Sequence, residues 1–113
     1  MDKFVKDKID KELGFTIEET FLLTEALRSG NYNFSFNTSD KKVNGWIEQI
    51  KPQDVLCYEV EIEKKSGNYP NVLLLYGVTK LRIVLLNVTF KDKDLNERIS
   101  YSFDWRGNHI KTM

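Results

Sequence analysis

The stretch NVLLLYGVTKLRIVLLNVTF, residues 71–90, constrains this chain more than any other. Twenty residues this apolar can cross a membrane, run as one long buried strand, or fold back as a hairpin. Lys80 and Arg82 place two charges in the middle, which a membrane span tolerates poorly. A single strand of that length is unusual for a small domain, where strands average about five or six residues. The segment is therefore expected to turn near residues 78–81 and to give strands over 72–77 and 82–90. A single strand kinked by a bulge at Gly77 is the alternative. The first of these strands is apolar on both faces, which suits a central position in a sheet.

The flanking segments repeat a period of two. From Asp54, Leu56, Tyr58, Val60 and Ile62 alternate with Cys57, Glu59, Glu61 and Glu63. Turn residues follow in KKSGNYPN, and again in KDKDLN after residue 90. Ile99, Tyr101, Phe103 and Trp105 then alternate with Arg98, Ser100, Ser102, Asp104 and Arg106. Antiparallel pairing across the 91–96 loop is expected to set Val88 beside Ile99, Leu86 beside Tyr101 and Val84 beside Phe103, apolar against apolar. RGNHIKTM reads as a turn and a short tail.

The N-terminal part has a different period. Phe4, Val5, Ile9 and Leu13 share one helical face, and Gly14 stands as a stop. Thr16-Ile17-Glu18-Glu19 is a capping box, and the helix behind it runs to Arg28-Ser29-Gly30. NYNFSFN, residues 31–37, alternates as a strand with Tyr32, Phe34 and Phe36 on one side. In residues 38–51, caps at Thr38, Ser39 or Asp40 precede Val43, Trp46, Ile47 and Ile50 at i, i+3, i+4 and i+7, which predicts a third helix ended by Pro52. Gly45 weakens that helix by about 1 kcal/mol relative to Ala.

The expected architecture is α+β, a single domain over residues 1–113, with N-terminal helices packed on one face of an antiparallel β-meander of four to five strands. A hydrophobic content of 41% and a charged content of 30% are globular values. The 17 basic residues balance 17 acidic ones, whereas proteins that live on phosphate backbones are usually basic, so nucleic acid is an unfavoured partner. The charged N-terminus has no apolar core of a signal peptide, and a lone cysteine forms no internal disulfide, so a cytoplasmic location is expected.

Chemistry-bearing groups are few. Cys57 sits in register with Glu59, and a nearby carboxylate raises a thiol pKa rather than activating it. His109 stands in the expected tail. No phosphate loop, metalloprotease helix or G-x-S-x-G elbow occurs, so no catalytic residue, metal ligand or cofactor is assigned. Glu59, Glu61 and Glu63 project from one strand face about 7 Å apart. Asp92 and Asp94 lack the glycine and distal glutamate of a calcium loop and read as turn chemistry.

DVLCYEV followed by LLLYGVTKLRIVLL resembles bacterial pleckstrin-homology-like domains, in which a strand leads through a T-x-x-R turn, here Thr79 to Arg82, into another apolar strand. The resemblance covers about 35 residues and implies a binding module without catalytic residues. This chain shows no helix after its last strand of the kind that plugs such barrels, and it has fewer predicted strands.

The residues favour a non-enzymatic protein-interaction module, such as a small inhibitor, an immunity-type protein or an adaptor of the sort phages encode. Its expected contact residues are Tyr32, Phe34, Phe36, Glu59, Glu61 and Glu63, an aromatic strand and an acidic strip facing a protein partner. The alternative is single-stranded nucleic acid stacking on the sheet aromatics beside Arg98, Arg106, Lys80 and Arg82, although Tyr101, Phe103 and Trp105 share the apolar face and are expected in the core. A third reading is a pocket for a small apolar ligand between helices and sheet.

Overall fold

The computed structural model describes residues 3–51 and 55–113. Two helices, α1 (Lys3–Leu13) and α2 (Ile17–Arg28), precede seven strands: β1 (Asn33–Asn37), β2 (Lys41–Lys51), β3 (Val55–Lys64), β4 (Asn71–Val78), β5 (Ile83–Lys91), β6 (Glu97–Phe103) and β7 (His109–Thr112). The strands form one antiparallel sheet in the order β1-β2-β3-β4-β5-β6-β7, each paired with its neighbour in sequence. The sheet therefore exceeds the four to five strands expected. No helix among the described residues is long and apolar enough to cross a membrane.

Local chemistry accounts for both helices. Gly14 adopts φ 59° and donates its N–H to the Asp10 carbonyl, closing α1 with a left-handed residue that glycine takes without strain. The capping box at the start of α2 is formed: Thr16 Oγ1 accepts from the Glu19 N–H, and a Glu19 carboxylate oxygen accepts from the Thr16 N–H, both at 3.0 Å. Residues 71–90 fold as a hairpin. Thr79 Oγ1 accepts from the N–H groups of Leu81 and Arg82, and the Thr79 N–H donates to the Arg82 carbonyl at 2.9 Å. β4 is the middle strand, as its two apolar faces suggest.

The expected third helix over residues 38–51 is strand β2 instead. Thr38 and Lys41 close the β1–β2 turn, with Thr38 N–H donating to the Lys41 carbonyl at 2.8 Å and Lys41 N–H donating to Thr38 Oγ1 at 3.1 Å. The hydroxyl expected to cap a helix caps a hairpin. β2 then pairs on both sides, Val43 with Phe36 of β1 and with Ile62 of β3. Lys41, Val43, Gly45 and Ile47 take one face in alternation, but the first is charged and the third has no side chain. Lys41 is buried and paired, and the ring of Phe34 lies where a Gly45 Cβ would stand, 2.2 Å from its nearest atom. The period of two was therefore invisible in the residue types, and the residues left over matched a helical stripe. The expected break at Pro52 and strand start at Asp54 lie outside the described residues.

Two hairpins at the C-terminal end share one turn. Asp92 accepts from the N–H groups of Asp94 and Asn96, and Asp104 accepts from those of Arg106 and Asn108, each between 2.9 and 3.0 Å. The fourth residue of each turn is left-handed, Leu95 at φ 66° and Gly107 at φ 82°. Each turn is followed by a one-residue irregularity in its ladder. At β5–β6 this corrects the expected register by two residues: Val88 faces Tyr101, Phe90 faces Ile99 and Asn87 faces Ser102. A shift of two keeps every side chain on its expected face, so hydrophobic pattern alone cannot distinguish the two registers. The second turn also converts the expected tail into β7, and it ends β6 at Phe103. Trp105 consequently leaves the alternation and lies across Gly77, its ring 2.3 Å from where a Cβ would be.

Most buried apolar side chains form one cluster. Val5, Ile9 and Leu13 of α1 and Leu23 and Leu27 of α2 join Val43, Tyr58, Val60, Ile62, Val72, Leu74, Val88, Phe90, Tyr101 and Phe103 of the sheet. A polar corner ties helices to strands. Lys41 Nζ donates to Glu19 Oε1 at 2.8 Å, to Asp40 Oδ2 at 3.0 Å and to the Gly14 carbonyl at 3.0 Å. Beside it on β3, Lys64 Nζ donates to the Glu12 carbonyl. Two lysines thus meet the carbonyl end of α1, where the helix dipole favours positive charge.

Candidate functional site

Alternation places a second set of side chains on the sheet face opposite the cluster. One row runs Trp46, Glu59, Leu75, Asn87, Ser102 and Lys111 across β2 to β7. The adjacent row runs Asn44, Glu61, Leu73, Thr89 and Ser100. Glu63 lies between Lys42 and Asn71 in the next. This face is acidic over β3, apolar over β4 and hydroxyl- and amide-bearing over β5 and β6.

The polar part is satisfied internally. Asn87 Nδ2 donates to Ser102 Oγ at 2.9 Å, Thr89 Oγ1 donates to Asn87 Oδ1 at 3.0 Å, and Thr89 and Ser100 hydroxyls lie 3.1 Å apart. Groups already paired with one another can lose water without leaving orphaned donors. Beside them is a slot of about 140 Å3, lined by Glu48, Glu59, Leu73, Leu74, Leu75 and Asn87. The side chains of Leu73 and Leu75 and the two carboxylates of Glu48 and Glu59 line it on this face. Burial pushes the Glu59 carboxyl above its ordinary value, the neighbouring charges of Glu48 and Glu61 push it further, and the charge of Lys91 offsets part of the rise. A carboxylate held in this way gains from the arrival of a cation.

The six residues expected to contact a partner fall into two groups. Glu59, Glu61 and Glu63 lie on the face just described. Phe34 and Phe36 are half-buried on the other, packed against the core, with Phe34 5.9 Å from Tyr58 and stacked on Phe36 at 6.5 Å. Tyr32 is 73% exposed and precedes β1. The sheet does not bring the rings and the acids onto one surface. Of the aromatics considered for base stacking, Tyr101 and Phe103 are buried in the cluster. Cys57 is buried on β3, and His109 lies on β7 with its ring near Tyr101 and Phe103; three strands separate the two.

Sequence reasoning missed Glu48 and Trp46 because both fell in the expected helix, and missed Leu73 and Leu75 because their strand reads apolar throughout. The available signal was parity: odd positions of β4 must face the acids of β3 once the hairpin is accepted. No protein family, curated protein or solved structure matches the chain.

Proposed function

We propose that the protein is a non-enzymatic binding module in which the two helices cover one face of the sheet and the opposite face receives a protein partner through a lysine or arginine side chain. The shared cluster of helix and sheet side chains supports the first part. The observation that carries the second is the slot between Glu48, Glu59 and the leucines of β4. Long basic side chains have an apolar stem and a charged tip, and the slot offers leucine walls to the one and paired carboxylates to the other. Glu61 and Glu63 extend the acidic strip along β3 and suit a partner with further positive charge.

Glu59→Gln tests this reading because it separates binding from folding. A carboxyl whose value is raised by folding contributes stability below its unfolded value and loses it as pH rises through the folded one. Its replacement by an uncharged amide is therefore expected to raise the urea midpoint at pH 7 while abolishing partner capture. Tagged wild type is expected to retain a protein from its native lysate after nuclease treatment, and Glu59→Gln and Glu48→Gln to lose it. Undiminished capture by both variants refutes the slot. Capture that disappears with nuclease refutes the protein partner in favour of nucleic acid.

A further inference from the structure

The sheet side chains in the cluster are unevenly covered. Val60, Leu74 and Val88 are fully buried, while Tyr76, Ile83 and Leu85, toward the β4–β5 turn, are only half-buried. There a cavity of about 730 Å3 opens between these three and Ile9, Leu23 and Leu27 of the helices. Leu81 stands among its lining residues with 91% of its surface exposed. The volume falls in the range of small-molecule sites, about 300–1,000 Å3.

The charges around it are unbalanced. Lys6, Arg28 and Arg82 face one carboxylate, that of Asp10, which Lys6 already engages at 2.7 Å. Arg82 gives one guanidinium N–H to the Trp105 carbonyl at 2.7 Å and keeps its remaining donors. Arg28 makes no ion pair among the described residues.

We propose that this cavity takes a free single-chain carboxylate amphiphile, its chain against Tyr76, Ile83 and Leu85 and its head group at Arg28 and Arg82. Apolar walls with a few convergent cationic donors are the composition such a ligand requires, and planar guanidinium groups match a carboxylate two bonds at a time. The site is separate from the acidic face of the sheet and does not depend on it.

The probe is laurate, below its micellar concentration, with dodecanol and dodecyltrimethylammonium as neutral and cationic counterparts. Laurate is expected to raise the thermal midpoint in a saturable manner. Dodecanol is expected to bind at least tenfold more weakly and the cation not at all. Arg28→Gln is expected to weaken laurate at least tenfold with only a small fall in the unliganded midpoint, from the lost cation at the end of α2, and Thr24→Trp, which fills the cavity from α2, to abolish the effect. Absence of a laurate shift overturns the proposal, as does equal binding of dodecanol. A laurate shift untouched by Arg28→Gln removes the head-group assignment and with it the proposal. A concentration-dependent dimer that laurate does not perturb and Arg28→Gln dissociates shows a second copy in the cavity instead.

Discussion

Glu19→Gln should be the most informative single change in the protein. Glu19 does two jobs with one carboxylate: it completes the capping box of α2 and it neutralises the buried Lys41. Its side chain and that of Lys41 are 6% and 2% exposed. Burial acts to raise the Glu19 carboxyl, but hydrogen bonds from Lys41, Thr38 and the Thr16 N–H outweigh it and bring the group from 4.5 down to about 2. At 1.36 kcal/mol per pH unit, that gap is worth about 3 kcal/mol. Breaking a buried ion pair by removing one partner costs about 3–5 kcal/mol, so the two estimates agree. For a domain near this size the loss lowers the thermal midpoint by roughly 12 °C.

The pH dependence sharpens the test. A carboxyl depressed by folding stabilises the protein fully above its unfolded value, and that stability drains away as pH falls through the folded one. The difference between wild type and Glu19→Gln should therefore be about 3 kcal/mol at pH 7 and shrink to about 1 kcal/mol near pH 3. Urea denaturation followed by tryptophan fluorescence at several pH values reads both quantities. A loss below about 1 kcal/mol at pH 7, or a gap that does not change with pH, would refute the reasoning that this network is dry and coupled.

Three further outcomes follow from particular positions. Leu95 is left-handed and largely exposed, so Leu95→Gly should relieve strain and raise the urea midpoint by about 1 kcal/mol of stability. Gly45→Ala drives a methyl into the Phe34 ring and should cost about 1–3 kcal/mol. Combining it with Phe34→Ala should cost less than the sum of the two, because they share one contact. The Asp104 carboxyl is held below its ordinary value, first by the Asn108 N–H and then by that of Arg106. Its contribution is therefore complete above the ordinary carboxylate range and fades as pH falls, and Asp104→Ala should flatten the acid limb of the stability profile.

Much of this architecture is legible from residue types because it is enforced locally. Gly14, the Thr16–Glu19 box and the Thr79–Arg82 turn act through backbone groups a few residues away, so their sequence signatures need no tertiary context. β3 and β6 show their alternation because each inward position carries its own apolar side chain. β2 does not, because its inward positions are completed from elsewhere: Glu19 of α2 neutralises Lys41 and Phe34 of β1 fills the space over Gly45. The turn at Asp104 carries the same D-x-x-x-N spacing as that at Asp92, and recognising it would have revealed β7. The candidate site was half legible. The acidic strip of Glu59, Glu61 and Glu63 followed from parity, but its union with Glu48 and the β4 leucines required β2 to be a strand.

The chain by itself determined which segments are helical or extended wherever short-range hydrogen bonds or an unbroken apolar period act, and it determined the antiparallel run β3 to β6 through the turns between those strands. Tertiary structure decided the state of residues 41–51, the register of β6 and the company each acid keeps. The physical reason is the same in all three. A paired lysine, a glycine under a ring and a two-residue shift each leave the local pattern unaltered or misleading, and their energies appear only when distant side chains meet.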